Sequence, residues 1–233
     1  MAVAASVIMK RASTILQDAD AVRWTPMELL DWLNEAQRAV VIAKPNAKSG
    51  TAVFNLVSGT RQTLPEQYTI LSRIIRNGGA TGKAIRQLAR REILDAQLPG
   101  WHNTAVLPFN AQADYAFQDM MNPREFYVAP GNTGTGSIEA VVGMVPANVA
   151  APSSGSQLDI AAYTGTVDLP DIYQSILLDF LLFRAFSKDS AAPDAAQRAQ
   201  THLGLATAAL GGMGASEMAM SMATAFLTQP AAG

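Results

Sequence analysis

The chain has no cysteine and only two histidines in 233 residues. The first absence removes disulfides, thiolate nucleophiles and cysteine-ligated zinc. The second leaves His102 and His202, a hundred positions apart and without a metal-ligand spacing such as H-E-x-x-H. Charge is also scarce, at 15% of residues, where about a quarter is usual in a soluble domain. With 49% hydrophobic residues, so little charge points to other subunits covering part of the surface. Long apolar runs are missing too. The most apolar segment, 172–186, is interrupted by Asp179 and Arg184 and is too short for a bilayer span. The N-terminus lacks the basic-then-apolar order of a signal peptide. These features predict a cytosolic or cytosolically assembled soluble protein with no membrane partner.

What charge there is divides unevenly. Residues 1–100 carry a net +5 and residues 101–233 a net −7, for an overall −2. The densest basic stretch runs Arg73, Arg76, Lys83, Arg86, Arg90, Arg91. Such a polar molecule suits stacking or packing in a ring, and a solvated basic face accounts for the run equally well.

Apolar periodicity predicts a helix over 2–17, with Val3, Val7, Ile8, Ala12, Ile15 and Leu16 on one side. Thr25-Pro26-x-Glu28 then opens a second, with Thr25 as N-cap, Pro26 in the first turn and Glu28 closing a capping box; it stops before Pro45. From Thr51 the pattern changes to short β-type runs at 52–57, 69–76, 83–88, 115–120, 125–128 and 137–145, with a short helix at 90–97. Asn77-Gly78-Gly79 is the best hairpin signal among the turns. Helical character returns at Asp168 or Leu169, and a further helix covers about 194–210. The fold expected is α+β: a discontinuous helical bundle from 1–48 and 168–210, a β-rich insertion over 49–167, and an Ala/Met/Gly-rich C-terminal segment over 211–233.

The search for chemistry finds little. Asp18, Asp20, Glu28, Asp31 and Glu35 surround the first helix–helix junction. Paired carboxylates could hydrolyse glycosides, but helix starts and exposed helix faces explain these acids fully. Gly131-Asn-Thr-Gly-Thr-Gly136 lacks the Lys-Ser/Thr of a phosphate loop and precedes a strand pattern, so it reads as a flexible turn. The basic stretch has no interleaved aromatics, and no DNA- or RNA-binding signature is present. No catalytic, cofactor or metal residue is assigned.

One ordered set of segments carries a resemblance. It comprises Arg11-Ala-Ser-Thr-Ile-Leu-Gln-Asp18, Arg23-Trp-Thr-Pro-x-Glu-Leu-Leu-Asp-Trp-Leu-Asn-Glu-Ala-Gln-Arg38, and Leu64-Pro65. It continues through Arg90-Arg-Glu-Ile-Leu-Asp95, Pro99-Gly-Trp-His102, Asn122-Pro-Arg-Glu-Phe-Tyr-Val-Ala-Pro130, and Tyr173 with Leu178-Asp-Phe-Leu-Leu-Phe-Arg-Ala-Phe-Ser-Lys-Asp189. Over about residues 5–210 the chain resembles tailed-phage head–tail adaptor (connector, neck) proteins, including the tail tubular protein A of short-tailed phages.

That resemblance implies a non-enzymatic virion protein with a helical bundle and β-rich insertion. It implies a dodecameric ring docked beneath the portal protein and above a tail or nozzle protein, with genomic DNA passing through the lumen without sequence specificity. The C-terminal segment of such adaptors commonly contacts the portal, which makes Met213, Met218, Met220, Met222, Phe226 and Leu227 the portal-facing candidates; the alternative is a last helix, 215–227, packing on its own bundle. Trp101, Phe109 and Asn132, in the loops 101–109 and 131–136, are candidates for facing the tail or a neighbouring subunit; an exposed Trp101 would anchor an interface, and a buried one would cap its own core. A DNA channel should not grip phosphate, so the acidic C-terminal half is expected to line it more than Arg73–Arg91. The alternatives are a virion muralytic enzyme using the acidic cluster, and an assembly factor absent from the finished particle.

Overall fold

The computed structural model describes residues 3–79, 82–88, 90–118, 121–189 and 192–227, with the side chains of Ser154 and of 217–227 outside that description. The chain divides into a helical unit, 1–47 with 146–233, and a β-rich unit, 48–145. The architecture is α+β, as expected. The nine Lys/Arg and seven Asp/Glu of the β-rich unit give it +2, and the eight and twelve of the helical unit give −4.

In the helical unit, α1 (Ala5–Leu16) and α2 (Pro26–Ala43) each bury one apolar stripe. The capping box on α2 forms as the sequence predicts. Thr25 Oγ1 accepts the Glu28 N–H at 3.4 Å, and the Glu28 carboxylate accepts the Thr25 N–H at 3.1 Å. Helix α1 has no side-chain cap; its first N–H groups donate instead to the carbonyls of Gly165 and Tyr163.

Central to this unit is α4 (Gln174–Lys188), which packs against α1, α2 and α5 (Ala195–Leu227). It buries Ile176, Leu177, Leu178, Leu181, Leu182, Ala185 and Phe186, so it is apolar nearly all round because helices cover it nearly all round. A 3-10 turn at Asp171–Tyr173 precedes it, one turn later than the start read from sequence. The expected stop at Gly211-Gly212 does not occur either: α5 continues unbroken to Leu227. Neither glycine sits at a left-handed cap, and the cost of about 1 kcal/mol each in a helix interior is carried by Ala, Leu and Met neighbours.

Residues 146–167, assigned to the β-rich segment from sequence, belong to the helical unit. Val149, Tyr163 and Val167 lie in its core. The buried amides of α2 hold this segment in place. Asn34 Nδ2 donates to the Val149 carbonyl at 3.1 Å while its Oδ1 accepts the Val149 N–H at 2.8 Å. Gln37 donates to Asn34 at 3.2 Å and accepts the Asp168 N–H at 2.8 Å.

The β-rich unit contains β1 (Ser49–Asn55), β2 (Gly59–Thr63), β3 (Tyr68–Asn77), β4 (Arg86–Gln87), α3 (Arg91–Gln97), β5 (Tyr115–Gln118), β6 (Glu125–Asn132) and β7 (Ser137–Met144). One antiparallel sheet has the order β1-β7-β3 and the other β2-β6-β5-β4, with β4 parallel to β5. Side chains alternate across each strand, and Phe54, Leu71, Ile74, Ala116, Phe126, Val128, Ile138, Ala140 and Val142 form a core drawn from both sheets. The opposite face of the second sheet buries Phe117 and Ala129 beneath Leu94 of α3 and Trp101. The Asn77-Gly78-Gly79 hairpin is reduced to a single bridge, Arg76 to Ala84, because β3 pairs with β7 and β4 with β5.

Candidate functional site

Three of the five clustered acids, Asp18, Glu28 and Glu35, are spent on structure. Asp18 closes the loop between α1 and α2 by accepting the N–H groups of Val22, Arg23 and Trp24 at 3.0, 2.9 and 2.9 Å. Partial burial pushes its carboxyl up, but those three donors and the Arg23 charge outweigh that and hold it below the usual carboxylate value. The Lys188 ammonium, at 2.6 Å, lowers Glu28; burial opposes this, and the Thr25 donors add to it, leaving the carboxyl below its ordinary value. Glu35 pairs with Arg184. A glycosidase needs one carboxyl raised so that it can donate a proton. Asp18 and Glu28 are both shifted the other way.

A cleft of about 640 Å³ lies between α1 and residues 158–161. Of the cluster it takes in only Asp20, with Lys10 and Asp159 nearby. Asp159 is itself occupied in capping, accepting the Ala161 N–H at 2.8 Å. Among the described residues, no group of three or more His, Asp or Glu side chains is placed to hold a metal.

Neither histidine belongs to a catalytic constellation. His202 on α5 bonds Asp179 of α4 at 2.8 Å and stacks on Phe186, joining the two helices. His102 bonds the Thr60 hydroxyl at 2.7 Å and lies against Trp101 with ring centroids 3.6 Å apart. Desolvation, then the Arg91 charge, depress its basicity, and Asp95 opposes them.

The loop candidates turn out to be mostly internal. Trp101 is fully buried: its indole N–H donates to Asp95 at 2.8 Å, and its ring meets Phe117 and Tyr127 edge-on. The reading of an exposed Trp101 anchor is therefore corrected; an indole in this sequence context has its own domain's aromatic face to cover. Asn132 is buried too. Its Oδ1 accepts the N–H groups of Gly134 and Gly136 at 2.8 and 3.1 Å, and its Nδ2 donates to the Ala111 carbonyl at 3.0 Å. It shapes the glycine-rich turn and offers nothing outward. Gly134 has φ +90°, a conformation that favours glycine. At Gly131 a Cβ would stand 2.6 Å from the Phe109 ring, so glycine there lets Phe109 lie flat on the strand. Phe109 stays half-exposed and is the one of the three candidates with surface to give.

Of the C-terminal candidates, Met213 is half-buried against the helical core. The side chains of Met218, Met220, Met222, Phe226 and Leu227 lie outside the described residues. The helix that carries them has a defined relation to its neighbour. The Arg198 guanidinium lies over Phe186, and His202 reaches Asp179, so α5 runs antiparallel to α4. That register places Leu210, the last buried residue described on α5, beside the start of α4. The 17 further residues to Leu227 extend α5 by about 25 Å at 1.5 Å per residue.

Among the described residues, Asp18, Glu28, Glu35 and both histidines are thus engaged in closing loops, capping and joining elements. The family model described as SU10 adaptor protein matches residues 4–228. The chain belongs to the SU10 adaptor protein family. Membership makes it a phage adaptor-type structural protein and a virion component, and it implies contacts with other phage head or tail proteins. No curated protein matches the chain. No helix among the adaptor's described residues is long and apolar enough to cross a membrane.

The signal that sequence reading missed is polar. Asn34, Gln37, Gln62 and Asn77 are all buried and all bond backbone, the first two and Asn77 at distant points and Gln62 within the turn before it. A polar residue within an apolar stripe, as Asn34 and Gln37 are within α2, is the available clue.

Proposed function

We propose that the adaptor forms a homo-oligomeric ring between the portal protein and the tail, with genomic DNA passing through its lumen. Family membership over residues 4–228 carries this reading, and the resemblance to tail tubular protein A supports it. A chain with 15% charged residues suits a surface partly covered in an assembly. The extension of α5 past α4 is the portal-facing element, with Met218, Met220, Met222, Phe226 and Leu227 on it; unbranched methionines adapt to irregular partner surfaces. Phe109 and its loop face the tail or the next subunit. The ring is dodecameric, and the lumen is lined by the helical unit, whose net −4 lets phosphate slide past, rather than by the Arg73–Arg91 stretch.

Deleting the gene tests this directly. Electron microscopy should then show DNA-filled or DNA-leaking heads separated from tails. Normally tailed particles from the deletion would contradict the proposal.

A further inference from the structure

Each of the two sheets has two edge strands, and three of the four edges carry the devices that block a further strand. Register shifts interrupt β3 at three places, and it bears Arg73 and Arg76. A register shift also interrupts β2, which carries Arg61. β4 is two residues long. β1 differs from all of them. It runs seven residues in unbroken register with β7, and no charge occurs from Ser49 to Thr60. A flat, neutral edge of this length is what folded proteins normally avoid or cover.

Hydrogen-bond parity fixes which groups face outward. Leu56 donates to the Gly136 carbonyl, which continues the β1–β7 ladder by one residue. Pairing then alternates, so Gly50, Ala52 and Phe54 turn their N–H and C=O groups to β7. Those of Thr51, Val53 and Asn55 turn to the open edge. The same three residues are exposed, Val53 at 61%, and Val57 beyond them is equally exposed.

A second copy of the chain supplies no suitable strand. Pairing with β2 or β3 would have to follow a broken register, and the charged side chains of those strands are all arginines with no acid on this edge to meet them. Pairing β1 with its own two-fold copy joins seven residues along about 24 Å. A two-fold contact of that kind closes at two copies and cannot propagate around a cyclic ring.

We propose that this edge receives an uncharged, extended segment from another virion protein, which adds as a fourth strand on the N–H and C=O groups of Thr51, Val53 and Asn55. The proposal rests on the adaptor reading for the presence of that protein. Main-chain bonds supply the affinity, and Val53 and Val57 select β-branched or apolar side chains across from them.

Residue-resolved amide exchange on the full purified chain and on purified virions tests it. In the free chain the amides of Thr51, Val53 and Asn55 should exchange quickly and those of Ala52 and Phe54 slowly. In virions the first three should slow by at least about 100-fold, given the usual range of local opening energies. Val53→Pro removes an outward N–H without touching the β7 ladder, and should lower incorporation into tailed particles at least tenfold while the free chain melts normally. Unchanged exchange of the three amides in virions, or normal incorporation of V53P, overturns the proposal. Protection that grows with concentration in the purified chain alone overturns it in favour of self-pairing. Absence of the chain from virions sinks the adaptor reading, and this proposal with it; presence with an unprotected edge sinks this proposal alone.

Discussion

Ending the chain after Met213 separates two roles for the last 14 of the 33 residues of α5. Antiparallel packing against α4 brings Leu210 level with Gln174, and burial on α5 fades at Met213. If the remainder projects past the bundle, removing 214–233 takes away a helix extension and almost no buried area. The cost is then below about 1 kcal/mol, or less than about 4 °C in Tm for a unit of this size. If the segment instead folded onto its own bundle with Met218, Met222 and Phe226, each lost side chain would cost about 1.5–3 kcal/mol, and Tm would fall by more than about 15 °C. Calorimetry on the full and truncated chains distinguishes these, and co-sedimentation with purified portal protein reads function. We expect a near-unchanged melt and loss of portal binding. A large drop in Tm, or portal binding that survives truncation, refutes the reasoning.

Three further outcomes follow from the described geometry. Leu181→Ala, at a fully buried site on α4, should destabilise the helical unit by about 2–5 kcal/mol in denaturant melts; a loss under about 1 kcal/mol would contradict its central placement. Asp18 and Glu28 are held below their ordinary values, so they add stability above about pH 4 that disappears as pH falls through their folded-state values. Asp18→Asn should therefore cost about 1–2 kcal/mol at pH 7, discounted for exposure, and flatten the acid limb of a pH–stability curve; an unchanged acid limb counts against the loop account. His102, desolvated against Trp101 and near Arg91, should titrate below 6.5 by NMR, favouring its neutral form in the folded state. Its stability contribution then weakens as pH drops below 6.5, and a midpoint at or above that value would show that the stacked geometry is wrong.

How much of this was legible beforehand depended on whether a residue's partners were local. Thr25 and Glu28 are three positions apart, and their box formed as read. The β-type runs with apolar alternation became β1, β3, β5, β6 and β7. Strand β2 was invisible because its inward residues are Thr60 and Gln62, not apolar ones. Gln62 is buried by bonding the Val57 N–H and the carbonyls of Val57 and Gly59, a pattern that hydropathy does not register. Asn77 looked like a hairpin residue. Its side chain instead bonds both backbone groups of Ala113, 36 positions away. Residues 146–167 read as part of the β-rich segment with a Pro/Ala/Ser connector because the amides that fix them, Asn34 and Gln37, lie over 100 positions upstream. At the candidate surfaces, Trp101 lies in a loop as read, whereas Asn132 is the last residue of β6, and the burial of both depends on Phe117, Tyr127 and Ala111, which no local pattern links to them.

Quantitative mass spectrometry of purified virions bears most directly on the adaptor ring. Copies of this chain per copy of portal protein should come out near one, as a ring matched to the portal requires. A ratio far from one, or absence of the chain from the mature particle, would contradict it.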